Sequence, residues 1–183
     1  DHISGLKELL LQGKLTQIKV RTVVFSAYVF QDAALAELEA MIRAAGITIV
    51  WMREGDVIGD DTFTLTCLHP TAEYRAKDKN AASLALAYHS DTFDMLFTLW
   101  AMDADAVADM DIQQDYDCIK LPHHGSKYSY VEGVYAHADY GLISCGYNNR
   151  YGHPHTEVLQ GLAQEGTKVL RTDEMGAVIF RSR

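Results

Sequence analysis

The spacing of apolar and polar residues changes period repeatedly along the chain. In Ser4–Gln12, leucines at 6, 9 and 10 repeat at three to four residues, which predicts a short helix that Ser4 can cap. Residues 18–25 (IKVRTVVF) alternate and then become wholly apolar, as in a strand that is half buried and then buried. Residues 33–45 are rich in Ala, Leu and Glu, with Asp32 ahead as N-cap and Gly46 behind at the C′ position. They predict a helix, and 47–52 predict a strand. DVIGDD at 56–61 has turn composition, and 63–68 read as a strand ended by His69-Pro70. His69, beside a proline with no acidic neighbour, reads as a loop residue.

The second half continues in the same alternation. A polar stretch at 73–80 predicts an exposed loop, and apolar runs at 83–88 and 93–100 predict a hairpin turning at 89–92. Residues 103–110 predict a helix with Asp103 as N-cap and acids in its first turn. Then come a strand at 118–121, a helix at 130–137 and a strand at 140–145. A helix follows at 154–164, opened by Pro154 and closed by Gly166. Runs at 168–171 and 176–181 predict a two-strand meander around 173–176. Strands and helices alternate without internal repeats, so the expected class is α/β, in one domain spanning 1–183.

Composition narrows the function classes. With 48% hydrophobic and 22% charged residues the chain has the make-up of a globular protein rather than a disordered one. Sixteen basic against 25 acidic residues give a net charge of −9, and six aspartates fall within 103–117. A duplex-binding protein would carry a basic stripe, and none is visible. A nucleic-acid substrate therefore needs a metal and local cations, for which Lys127, Arg150 and Arg171 are the candidates. Cys67, Cys118 and Cys145 lie in apolar runs without CxxC spacing and read as buried strand residues. No window approaches the ~18 apolar residues of a membrane span, and no signal peptide opens the chain, which as given reads as soluble.

Three polar clusters carry candidate chemistry. Leu121-Pro122-His123-His124-Gly125-Ser126 follows an apolar run, and a strand end delivers side chains into an open cleft. Neutral imidazole is the commonest metal ligand there, against the plain alternative of two solvated loop histidines. Asp1-His2 sets a carboxylate beside an imidazole, and Asn148-Asn149-Arg150-Tyr151-Gly152-His153-Pro154-His155 adds amides and two more imidazoles before a helix. An amide and an imidazole beside a helix N-terminus suit a phosphate, because backbone N–H groups there attract anions. The plain alternative is that His153-Pro154 only caps that helix. Gly125 admits close backbone approach and Ser126 a hydrogen bond to a ligand or phosphate, although a simple turn explains both.

The stretches DHISGL, KDKNAASLAL, LPHHGS, SCGYNNRYGHPH and VLRTDEMGAVIF together resemble the metallo-β-lactamase superfamily. Within it they are most similar to the hydrolase domain of ComEC-type DNA-internalisation competence proteins. The resemblance implies a four-layer αββα sandwich with the metal site at one edge of its sheets. The strands that normally precede the Asp-His pair are missing from this chain, so 1–183 is expected to be an N-terminally incomplete domain. It implies one or two divalent ions, Zn or Mn, held by Asp1, His2 and one of the paired histidines. His124 is preferred as ligand, and His123 as an acid/base or supporting residue. By the same resemblance His153 and Asn148 act in catalysis. Asn80, Ser83 and Ser126 contact substrate, with Asn149 able to take the place of Asn148. Relatives carry Thr-Gly-Asp after the strand at 93–98, and its aspartate bridges two metals. Here that position falls on Trp100 or Ala101, and Asp103 is the nearest carboxylate.

The expected activity is phosphodiester hydrolysis by metal-activated hydroxide, on single-stranded DNA during competence uptake. The expected partner is a membrane channel portion of the same parent protein, which would place the domain on the outer face of the bacterial plasma membrane. One alternative is a free-standing, cytoplasmic metallo-hydrolase of a small phosphoester or ester. Another is an inactive binding domain that kept the fold, motivated by the missing bridging aspartate.

Overall fold

A computed structural model describes residues 4–12, 19–28, 32–98, 102–110, 112 and 114–181. The chain forms two compact units, 1–52 and 53–183. In the first, helices α1 (Ser4–Gln12) and α2 (Ala33–Ala44) accompany strands β1 (Thr22–Ser26) and β2 (Thr48–Met52). The strands pair in parallel, from Thr22 opposite Thr48 to Ser26 opposite Met52. α2 begins where its sequence signals place it, with Asp32 Oδ1 accepting from Leu35 N at 2.9 Å, and Gly46 past its end takes φ 70°. Leu38 and Ile42, one turn apart, are fully buried with Val23. Leu6, Leu10, Phe25 and Ile49 pack around them.

The second unit is built on a seven-stranded sheet whose spatial order is its chain order, β3-β4-β5-β6-β7-β8-β9. Its strands are β3 (Val57–Gly59), β4 (Phe63–His69), β5 (Ala85–Ser90), β6 (Phe93–Thr98), β7 (Tyr116–Lys120), β8 (Ala138–Ile143) and β9 (Lys168–Arg171). From β3 to β6 the pairing is antiparallel, and from β6 to β9 parallel. The change follows from the connections. A two-residue turn between β5 and β6 returns the chain antiparallel, whereas parallel neighbours need longer crossovers. Two of the crossovers carry helices, α3 (Ala104–Ala108) and α4 (Thr156–Glu165). The architecture is α/β with a mixed sheet, as its alternation of periods predicts.

The main core joins Leu96, Ile119, Leu121, Tyr135 and Ile143 to Val158 and Leu162, the buried stripe of α4. A second cluster packs Ala106, Val107, Met102 and Met110 around α3 against Ala85. Burial of consecutive residues such as Cys118 and Ile119 marks β7 as covered on both faces, the habit of parallel strands. Cys67 and Cys118 are buried as expected, and Cys145 partly so. No helix among the described residues is long and apolar enough to cross a membrane.

Four sequence expectations give way. Residues 130–137 do not form an α-helix, because Gly133 takes φ 86°, outside helical space. Only the 3-10 turn Val134–His137 remains, with Tyr135 fully buried. Residues 176–181 form no strand. Instead the chain makes one helical turn, α5 (Thr172–Met175), in which the Thr172 hydroxyl accepts from Cys145 N and donates to Cys145 O. The 56–61 turn holds strand β3, whose Gly59 approaches the Phe63 carbonyl too closely for any side chain. Finally, His69 is no exposed loop residue. It is fully buried at the end of β4, its Nε2 2.9 Å from Ala81 O and its Nδ1 3.5 Å from Asp109 Oδ2. Its acidic neighbour is forty residues away in sequence and arrives with α3.

Candidate functional site

The C-terminal ends of β7 and β8 are adjacent parallel strand ends, the place where open α/β sheets collect ligands. The chain leaving β7 is anchored by Leu121 N, which donates to Leu142 O at 2.8 Å. It then turns through three consecutive residues of positive φ, His123 (46°), His124 (59°) and Gly125 (78°). Left-handed backbone at two histidines in a row costs free energy, of order 1 kcal/mol each, and such strain concentrates at functional sites. Gly125 is required at its position, since a Cβ there would meet Pro154 Cβ at 2.7 Å. Its carbonyl accepts from His155 N at 3.0 Å, tying the two histidine-bearing loops together.

Four imidazoles converge as a result. Ring centres of His123, His124 and His153 lie 5.8 to 6.4 Å apart, and His155 lies 4.9 Å from His153. Hydrogen bonds fix two tautomers. His124 Nδ1 faces Ser144 O at 2.6 Å. A carbonyl only accepts, so Nδ1 carries the proton and Nε2 is the lone-pair nitrogen, the pattern found in metal-binding histidines. His155 is the reverse: its Nδ1 accepts from Lys127 N at 3.2 Å, which makes Nε2–H a donor in the neutral ring. His123 Nδ1 is buried without a hydrogen-bond partner.

Burial favours the neutral forms of His123 and His153. Burial, then the neighbouring His155, His123 and His124, push His153 down to about 4. Burial and then His124 lower His123, opposed by the carboxylate of Asp103. Asp103 thus acts on the cluster from α3. It stands at the N-cap position without a side-chain capping bond, contrary to the capping role its sequence context predicts, and Lys77 Nζ lies 3.6 Å away.

The structure sorts the remaining predicted residues. Asn149 clasps its own loop: its amide donates to Gly146 O and His153 O at 3.0 and 2.6 Å, and its Oδ1 accepts from His153 N at 3.0 Å. Asn148 is exposed at φ 50°. Ser126 is buried, and its hydroxyl accepts from Tyr128 N at 3.3 Å to cap a turn. Asn80 and Ser83 meet through Ser83 N and Asn80 O at 3.1 Å, ahead of β5. Among the described residues neither bonds to the histidines. Arg171, expected as a local cation, is engaged by Asp173 and Glu174 at 2.7 and 2.9 Å. Asp1, His2, Trp100 and Ala101 lie outside the described residues. Among the described residues no group of three or more His, Cys, Asp or Glu side chains is arranged to hold a metal ion.

Two residues here carry no sequence assignment. His155 was legible as part of His-Pro-His, two residues from His153, yet nothing in that spacing shows its tautomer. Lys120, at the end of β7, donates to Thr98 O and Leu121 O at 3.4 and 3.2 Å, and burial depresses its ammonium to about 8.

No protein-family model matches the chain. It is 32% identical to ComE operon protein 3 of Bacillus subtilis (strain 168) over 188 aligned residues, covering 99% of this chain and 23% of that protein. A 63-residue stretch, 33% of the chain, is 43% identical to competence protein ComA of Neisseria gonorrhoeae and covers 9% of it. The chain is thus homologous over nearly its whole length to a portion, less than a quarter, of ComE operon protein 3, and over a third of its length to competence protein ComA.

Proposed function

We propose that this chain is a metal-dependent hydrolase domain of the metallo-β-lactamase-like αββα type, cleaving phosphodiesters of single-stranded DNA during competence uptake. The observation that carries the reading is the convergence of His123, His124 and His153 at parallel strand ends, with the proton of His124 committed to Ser144 O. His123 and His124 would supply part of a ligand set for a divalent ion, Zn or Mn, which Asp1 and His2 would complete as the resemblance implies. His124 presents the tautomer a metal takes, and the unpartnered Nδ1 of His123 is a buried polar atom that a ligand would satisfy. When bound, such an ion lowers the pKa of water to about 7 and polarises the phosphoryl oxygen.

The chain's own groups supply the rest. His124 and His123 would hold such an ion, and Asp103 biases the His123 ring through its field. His153, kept neutral by burial and its neighbours and held in place by Asn149, accepts the proton that the attacking water gives up as its oxygen bonds to phosphorus, and the released alkoxide takes a proton from solvent. His155 Nε2–H donates to a phosphoryl oxygen. The homologues' names support the competence setting, and a parent protein with a membrane channel portion follows from the sequence resemblance alone. In that setting the domain works on the outer face of the plasma membrane.

Elemental analysis of the purified protein tests the reading, together with hydrolysis of bis-p-nitrophenyl phosphate and of a single-stranded oligonucleotide. Stoichiometric Zn or Mn, with His124→Ala losing the metal and at least tenfold in rate, is the expected result. A wild-type chain that binds neither metal overturns it and leaves a binding domain that kept the fold. A chain that cleaves only the small ester makes a small phosphoester the substrate.

A further inference from the structure

Around the histidine cluster stand side chains that hydrolysis leaves unused. Tyr128, Tyr147 and Tyr151 are 70%, 86% and 56% exposed, whereas Tyr116 and Tyr135 are buried in the core. Two of the exposed rings carry a cation. Lys127 Nζ lies 5.6 Å from the centre of the Tyr128 ring, and the Arg150 guanidinium 4.8 Å from that of Tyr151 while donating to its hydroxyl at 2.6 Å. The rings continue into the cluster. Tyr128 meets His155 edge-on at 6.5 Å, His155 meets His153 at 4.9 Å, and Tyr151 lies nearly parallel to His153 at 5.8 Å. A run of aromatic rings with a cation at each end therefore passes through the histidines.

Water gains nothing from three uncovered tyrosines on neighbouring loops, and such patches mark contact surfaces. Charge selects the occupant. The chain carries −9 overall, so phosphates alone cannot supply affinity. Lys127 shares its charge with Glu157 at 3.4 Å, while Arg150 has no ion-pair partner among the described residues. Aromatic faces interleaved with a few cations are how proteins hold unpaired bases, because every base offers a π-face whatever its identity. The geometry points to a base-stacking rim: Tyr128 and Tyr151 hold bases of an unpaired nucleic-acid strand, and Arg150 and Lys127 meet its phosphates. This rests on the hydrolase reading only in that the strand then crosses His153. Because the rim engages base faces and not the sugar, single-stranded DNA and RNA bind alike. Duplexes, whose base faces are already stacked, bind poorly.

Fluorescence anisotropy in EDTA, where no hydrolysis occurs, measures binding of labelled 15-mer oligothymidylate, oligouridylate and a duplex. The wild-type chain is compared with a Tyr128→Ala/Tyr151→Ala double variant and a Tyr128→Phe/Tyr151→Phe double variant. Loss of two stacking rings weakens binding of both single strands by about a hundredfold, at about tenfold per ring, while the Phe pair stays within about threefold of wild type. Wild-type chain that fails to bind, an Ala pair that binds like wild type, a Phe pair that falls as far as the Ala pair, or preference for the duplex overturns the rim. Hydrolysis of bis-p-nitrophenyl phosphate by the wild-type chain is scored separately, since that ester offers no base. A chain that cleaves it but ignores the oligonucleotides loses the rim and keeps the hydrolase, and one that binds strands but cleaves nothing keeps the rim alone.

Discussion

Among single residues, the tautomers separate roles that residue type leaves open. His123 and His124 are the same side chain in the same strained turn. One presents Nε2 because Ser144 O takes its other nitrogen, and the other buries an unpartnered Nδ1. Lys120, four residues before His124, shows a different cost. Burial brings its ammonium from 10.5 to about 8, so between those values the unfolded chain binds more protons than the folded one. By linkage, stability supplied through this group rises as pH goes from about 8 to 10.5, and it is withheld below pH 8. Lys120→Met should therefore be the more stable protein at pH 7, by about 2 to 3 kcal/mol, with the gap closing toward pH 10.5. Denaturant midpoints across that range check it, and parallel curves would show that the lysine is solvated. The two asparagines also part here. Asn149→Ala removes the two bonds that hold the His153 backbone and a third to Gly146 O, and should cost about 1 to 3 kcal/mol together with phosphodiesterase activity. Asn148→Gly, relieving a left-handed backbone, should be neutral or slightly stabilising. Thermal melts and initial rates of the pair distinguish the clasp from a merely exposed neighbour.

At the scale of elements, the site is a junction of two loops braced by one helix. The β7 turn and the His153–His155 stretch meet through Gly125 O and His155 N, and α4 begins at the next residue. α4 holds that junction through Val158 and Leu162, buried in the main core beside Leu121 and Ile143. Leu162→Ala should destabilise the protein by about 2 to 5 kcal/mol, read from the denaturant midpoint at constant m-value. Helices α1 and α2, the β5–β6 hairpin and the Gly166 end of α4 followed from local periodicity and caps, whereas α4 begins at Thr156, two residues past the Pro154 expected to open it. The 130–137 helix and the 176–181 strand did not form, because Gly133 and the Thr172 contacts with Cys145 override local propensity. Strand β3 escaped notice because three residues are too few for a period to declare itself.

For the molecule as a whole, handling a polyanion, as proposed, requires an acidic chain to place its few cations with care. Among the described residues, Lys127 and Arg150 are the cations placed against the rim's rings, and Arg171 is consumed by Asp173 and Glu174. With two phosphates neutralised, the logarithm of single-strand affinity should fall against log salt with a slope of roughly −1.4, far shallower than for a basic nucleic-acid binder. Titrations between 50 and 300 mM salt read the slope directly, and a steep one would place the affinity in phosphate contacts instead of stacking. The sequence by itself determined the α/β class, most helix limits and the three polar clusters, since hydrophobic period, caps and turn residues act over a few neighbours. Only the tertiary structure decided that His155 joins the cluster, that His69 is buried beside Asp109, and that Asn149 rather than Asn148 holds His153. It also decided that the exposed Tyr128 and Tyr151 line the same site. Each of those facts depends on a hydrogen bond or a ring contact set by how the loops leave the strand ends, and on burial produced by residues far away in the chain. No local pattern encodes either.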